Sequence, residues 1–213
     1  DDKEVAKLMW GMTGKSTDTQ LLRYKNFALT GFDVVSCQFA THYFFENETK
    51  LNNFVYNVSQ YLKKGGYFIG TCLDGQLIKK KLTSIKKGQH VQGTLESRVV
   101  WDIKKLYSNN RTIKLGEQIE VFMESIGQPI KEYLVDFNLF QNKLAAKGIM
   151  PLNKEDCEKF GIEKSIENFK TTFAKVSTLQ PQTALMREIL EMSEVEKEYS
   201  FLNTWFIFKK YDI

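Results

Sequence analysis

Between Gly31 and Cys72 the sequence passes from a strand-like run to a helical one and back to a strand. The first run, GFDVVSC at 31–37, is short, apolar and β-branched, and predicts a buried strand over 32–37. The middle run, ETKLNNFVYNVSQYL at 48–62, places Leu51, Phe54, Val55, Val58 and Leu62 at helical spacing. Lys63 and Lys64 then stand where a helix carboxyl end favours cations, Gly65-Gly66 stops the helix, and 67–71 predicts a second buried strand. Strand, helix and strand in so few residues require a right-handed parallel crossover. The fold class that follows is α/β, a mixed and mostly parallel sheet flanked by helices. Such sheets hold ligands outside the carboxyl ends of their strands, which draws attention to SCQFATHYFF at 36–45.

Elsewhere VAKLMW at 5–10 predicts a short strand followed by a turn-rich loop. GMTGKST at 11–17 is no phosphate-binding loop, because that motif needs four residues between its glycines and Gly11 and Gly14 enclose two. QLIKKKL at 76–82 predicts a short helix, with Asp74 as its cap. VVWDIKKLY at 99–107 and QIEVFMESI at 118–126 predict antiparallel strands added to the sheet or beside it. DFNLFQNKLAAKG at 136–148 is an amphipathic helix closed by Gly148, 183–199 is helical, and FLNTWFIFKK at 201–210 has the aromatic content of a last strand. No repeat, low-complexity tract or linker interrupts the chain, so 1–213 is expected to form a single domain.

Composition narrows the setting. No window holds the roughly 18 consecutive apolar residues of a membrane span, and the acidic start DDKEVAKLMW has no signal-peptide character. Cys37, Cys72 and Cys157 are odd in number and far apart, which indicates neither a disulfide framework nor a zinc site and fits a reducing, intracellular setting. Cys37 and Cys72 are expected to be buried small hydrophobes, and Phe44, Phe45, Phe54 and Phe68 to be core. A net charge of +4 is too mild to demand nucleic acid. KKKLTSIKK at 79–87 and IKKLYSNNR at 103–111 are expected to be solvated faces, and first candidates for phosphate contacts if the substrate is RNA.

Taken in order, FDVVSCQFATHYFFE, LKKGGYFIGTCLDGQLI, IKEYLVDFNLF and EYSFLNTWFIFKK resemble the messenger-RNA cap guanine-N7 methyltransferases over nearly the whole chain from about residue 5. GTCLDG and SFLNTWFIFKK look like the versions found in large cytoplasmic DNA viruses such as poxviruses and African swine fever virus. The resemblance implies a class I, Rossmann-like domain that uses S-adenosylmethionine and acts on capped RNA, with an antiparallel insertion in its sheet. It further implies Gln38 and Tyr43 at the methyl donor, Phe39 in the wall between the two ligands, His42 at the cap guanine, and Glu132 reading the guanine edge. Met12 and Thr13 stand where the family places an aspartate against the donor's adenine, and Asn203 aligns with a cap-touching tyrosine of cellular relatives.

Attack by guanine N7 on a sulfonium methyl needs no proton transfer, so no catalytic acid, base, nucleophile or metal is expected. The family's amino-terminal donor strand belongs upstream of VAKLMW and is absent from this chain. Two alternatives follow from that absence and from the fold: an impaired methyltransferase-like subunit that stimulates a partner, and a methyltransferase of some small molecule. The resemblance also implies neighbouring capping domains in the same polypeptide, a possible stimulatory subunit, no membrane, and residence in the cytoplasm (viral factory or virion) for a virus or the nucleus for a cellular relative.

Overall fold

The structure is a computed structural model that describes residues 7–11, 19–108, 112–180 and 183–212. A helical turn at 7–9 and the short helix α1 (Thr19–Leu22) precede the predicted crossover. β1 (Phe32–Gln38) leads through a 3-10 turn (Thr41–Glu46) into α2 (Glu48–Tyr61), which returns to β2 (Leu62–Leu73), and β1 and β2 pair in parallel. α3 (Gly75–Lys81) then opens a run of four strands: β3 (His90–Leu95), β4 (Arg98–Lys105), β5 (Gln118–Met123) and β6 (Ile130–Tyr133). The chain continues as α4 (Phe137–Ala145), β7 (Ile149–Pro151), α5 (Lys154–Lys159), β8 (Ile166–Asn168) and α6 (Phe169–Val176). It ends with α7 (Ala184–Leu190), α8 (Glu194–Ser200) and β9 (Asn203–Lys210).

Two sheets result. The first has the order β1-β2-β9-β7, with β8 also pairing β9. It is mixed, as expected, but parallel pairing among the described residues is confined to β1–β2, because β7, β8 and β2 all meet β9 antiparallel. The second is wholly antiparallel, β3-β4-β5-β6, so the 99–107 and 118–126 strands lie beside the first sheet.

Several expectations need correction. The described part of VAKLMW is helical at 7–9, and this segment packs by its aromatic end, with Trp10 stacked on Tyr61 at 4.0 Å. Among the described residues β1 pairs with β2 alone, and its Val34 is 49% exposed. Helix α2 ends at Tyr61, so Lys63 and Lys64 belong to β2, where Lys63 pairs across to Asp33 at 3.0 Å. The predicted 183–199 helix is two helices, because Ser193 builds a capping box with Glu196 that starts α8 afresh. The lysine runs are not wholly solvated. Lys79 pairs with Glu117 at 2.8 Å, and Lys105, 1% exposed, donates to the Leu82 and Ile85 carbonyls. The Lys105 ammonium is taken up by the turn after α3 and the Lys79 ammonium by Glu117 and the Thr112 carbonyl ahead of β5, which is how the second sheet is held to that helix.

The core is built on phenylalanine. Phe68, Phe206 and Phe208 of the first sheet meet Phe140 of α4 and Phe45 of the 3-10 turn, with ring centroids 5.1 Å apart for Phe68–Phe206 and 5.7 Å for Phe140–Phe206. Phe44 stacks on Phe54 at 3.9 Å on the rim of this cluster, and Cys72 is fully buried within it. Gly70 is the position that lets β1, β2 and Phe206 come together. A Cβ there would stand 2.3 Å from the Phe206 ring and 2.4 Å from the Cys37 carbonyl. Neither can move, since one is core and the other backbone. Gly70→Ala is therefore expected to cost about 3 kcal/mol of stability through overpacking, read as a lowered urea midpoint with an unchanged denaturant slope.

Candidate functional site

β1 delivers its last residues to the carboxyl end of the first sheet. Gln38 pairs with Thr71, whose hydroxyl donates to the Gln38 amide oxygen at 2.9 Å, while the Gln38 amide nitrogen donates to Ser36 at 2.9 Å. Phe39 follows in a left-handed conformation, φ +50, with its N–H bonded to the Thr71 carbonyl at 2.8 Å. A bulky residue there is strained, and strain of this kind collects at binding sites. Phe39 is also 55% exposed, its ring edge-on to Phe169 at 6.3 Å.

The reversal at Phe39 starts the 3-10 turn, in which residues three apart share a side. Phe45, anchored edge-on to Phe140, fixes that side as inward, so His42, three residues earlier, is buried at 4% exposure. Tyr43 faces outward at 42% exposure, its ring 4.1 Å from His42. Thr41 is buried and donates to the Cys37 sulfur.

The second sheet meets this turn from the other side. Gly116 donates its N–H to the Phe45 carbonyl at 2.9 Å, and Val135 bridges to Asp74 just after β2. These links bring Glu132 of β6 to His42, with Oε2 3.5 Å from Nδ1 and the carboxylate side chain 12% exposed. Both His42 ring nitrogens and Glu132 Oε2 are buried without a hydrogen-bond partner among the described residues. Native interiors seldom leave polar atoms so, because each costs free energy to strip of water.

The spacing resembles an ion pair, but the two charges do not coexist. Burial lowers His42 to about 4 and raises Glu132 to about 7, so imidazolium has lost its proton well before the carboxylate forms. Above neutral pH the site holds a neutral imidazole beside an unshared carboxylate. Tyr43 is raised by burial and then by the Glu132 charge, and Tyr199 is raised by the same two causes in the same order. Such a site offers carboxylate acceptors for a pair of N–H donors, a neutral imidazole, and two phenols that remain protonated.

The family model for the mRNA (guanine-N(7))-methyltransferase domain matches residues 7–211. The chain belongs to this family. A probable mRNA-capping enzyme of Acanthamoeba polyphaga mimivirus is 26% identical over 201 residues, which cover 84% of this chain and 17% of that protein. The mRNA cap guanine-N(7) methyltransferases of Candida glabrata and Saccharomyces cerevisiae are 31% and 30% identical, over 84% of this chain and 43% and 41% of theirs. The chain thus spans less than half the length of these curated relatives.

Within this methyltransferase domain, the structure brings His42, Tyr43 and Glu132 together from segments some 90 residues apart in sequence. Gln38 and Phe39 lie on the same strand end, at its exposed lip. Asn203 is placed otherwise: it is buried, and its amide donates to the Tyr199 and Ser200 carbonyls, so its side chain closes α8. Met12 and Thr13 lie outside the described residues. Asp74 caps α3, accepting from the Gln76 and Leu77 amides and from Thr204. Tyr199 was not singled out from the sequence, where EYS at the end of a helix carries no signal of a site.

The burial of Glu132 has a measurable consequence. Because its folded-state pKa lies above the unfolded one, the penalty is absent in acid and grows as pH rises from about 4 to about 7. Glu132→Gln is expected to raise stability by about 3 kcal/mol at pH 8 and hardly at all at pH 4. Urea unfolding at the two pH values measures this difference, and equal stabilisation at both would contradict it.

Proposed function

We propose that this domain transfers a methyl group from S-adenosylmethionine to N7 of the guanosine cap of messenger RNA. Family membership supports the reaction, and the observation that carries the site assignment is the unpartnered Glu132–His42 pair at the carboxyl end of β1. Guanine presents N1–H and an N2 amino group on one edge, two donors that a carboxylate accepts together. Adenine has no such pair, so it would leave Glu132 buried and unsatisfied, and discrimination should be large. Two donors brought to the carboxylate also favour its ionised form, which lowers the raised pKa of Glu132 as the guanine arrives.

The methyl donor fits the exposed lip on the outer side of this pair. Gln38 and Tyr43 present polar groups there, and the Tyr43 hydroxyl has no hydrogen bond to the described residues. Phe39, held out in its left-handed conformation and exposed, is available to form the wall between the two ligands that the family resemblance implies. The donor, once bound, supplies an electrophilic methyl on a sulfonium. The chain's own part is to hold the purine with N7 in line with that methyl, to keep His42 neutral so that no cation opposes the charge arriving on the base, and to exclude water. N7 carries a free lone pair and no proton, so the residues of the site have no proton to move.

The length of the mimivirus capping enzyme, of which the match covers 17%, supports one further part of the reading, neighbouring capping domains on the same polypeptide. Incubation with S-adenosylmethionine and GpppA is expected to yield m7GpppA. Glu132→Ala should abolish transfer, by about a hundredfold or more in kcat/KM, whereas ATP should accept no methyl. Transfer by the wild type should also weaken below pH 7 as Glu132 takes up a proton. Methylation of GpppA that persists in Glu132→Ala, or that prefers ATP, would remove the guanine-reading role and favour a small-molecule substrate.

A further inference from the structure

The register of the second sheet assigns Glu132 to a face. Glu132 pairs with Ile119, Ile119 alternates with Val121 and Met123 along β5, and Met123 and Val121 pair with Trp101 and Ile103 of β4. Cross-strand partners share a face and alternate residues along a strand return to it. Glu132 therefore projects from the same face as Trp101, Ile103, Ile119 and Val121, which is the buried one.

Helix α8 lies across that face. The Trp101 indole N–H donates to the Val195 carbonyl at 2.8 Å, and the Trp101 and Tyr199 rings lie 6.1 Å apart. Gly93 makes room for this packing, since a Cβ there would stand 2.2 Å from the Trp101 indole nitrogen and 2.7 Å from the Val195 side chain. Tyr199, in the last turn of α8, is thus carried onto the Glu132 face, close enough for the carboxylate charge to oppose ionisation of its phenol. Its ring is part-buried against the cluster of Trp101, Ile103, Ile119 and Val121, yet its hydroxyl bonds to none of the described residues. Asn203, the neighbour expected at the cap, is engaged with the α8 carbonyls.

We infer that Tyr199 is a substrate-contacting, specificity-determining residue of the guanine pocket, its hydroxyl donating to guanine O6. This rests on the proposed function. With N1–H and the N2 amino group facing Glu132, the acceptor O6 adjoins N1 on the same edge, and a buried acceptor there requires a donor. A phenol kept protonated is a donor throughout the working pH range, so it can satisfy O6 whenever the guanine is seated, while rejection of adenine stays with Glu132.

The test uses the chain with whatever polypeptide flanks it, S-adenosylmethionine, and three dinucleoside triphosphates whose acceptor base is guanine, 2-aminopurine (neither O6 nor N1–H, so that only the change between wild type and variant reports on O6) or hypoxanthine (no N2 amino group). Tyr199→Phe keeps the ring against Trp101 and removes only the hydroxyl. It should raise KM for GpppA by about tenfold with kcat within about twofold, and cut the preference for guanine over 2-aminopurine by the same factor. The preference for guanine over hypoxanthine and the unfolding midpoint should stay as in the wild type. A purely structural tyrosine would move the midpoint and leave both preferences alone. Wild-type discrimination against 2-aminopurine in Tyr199→Phe overturns the inference alone. Failure of the wild type to methylate GpppA overturns the proposed function, and this inference with it.

Discussion

The structure depends on the close contact of β2 with its two neighbours. β2 pairs in parallel with β1 and antiparallel with β9, and at Gly70 the three strands approach so closely that the Phe206 ring occupies the space a side chain would need. That contact fixes the register of β1, which in turn sets where Gln38 ends and Phe39 reverses the chain. It also seats the phenylalanine cluster on which the 3-10 turn is anchored through Phe45. His42 points inward because Phe45 does, so the chemistry of the site is set by packing several residues away.

The site opposes the ordinary rules of burial. A carboxylate and an imidazole within 3.5 Å would ordinarily form an ion pair, yet both His42 nitrogens and Glu132 Oε2 lack hydrogen bonds to the described residues, and burial moves the two pKa values past each other so that the charges do not coexist. The fold tolerates this because the links around the pair are strong. Val135 bridges to Asp74, Gly75 and Leu134 donate to neighbouring carbonyls, and Lys79 with Glu117 ties α3 to the second sheet. Destabilised groups held by a rigid surround are what a pocket for a polar base requires, since the interaction free energy withheld in the free domain is released when donors arrive.

Much of this was legible from residue order. The 48–62 periodicity, Gly148 after the end of α4 and the aromatic last strand carried local signals, and the parallel pairing of β1 with β2 followed from the strand-helix-strand order. The Gln-Phe-x-x-His-Tyr stretch and Glu132 were legible as a resemblance rather than as chemistry, because neither segment alone says what it faces. The short strands β3, β6, β7 and β8 were not legible. Each has only three to six residues, and their pairing with β4, β5 and β9 is a long-range event with little local signature. Lys79 and Lys105 were misread for a related reason: a lysine run looks solvated until a partner such as Glu117 and free carbonyls are brought to it.

Residue order by itself determined the crossover unit, the capped helices and the two segments that hold the polar residues of the site, since propensity, capping and periodicity act over a few residues. Tertiary structure alone decided that Lys105 is buried, that Asn203 closes a helix, and that α8 lays Tyr199 against the sheet face that carries Glu132. The reason is physical: burial, and with it the pKa of a carboxylate or the freedom of a hydroxyl, belongs to the assembled surfaces around a side chain and not to its neighbours in sequence.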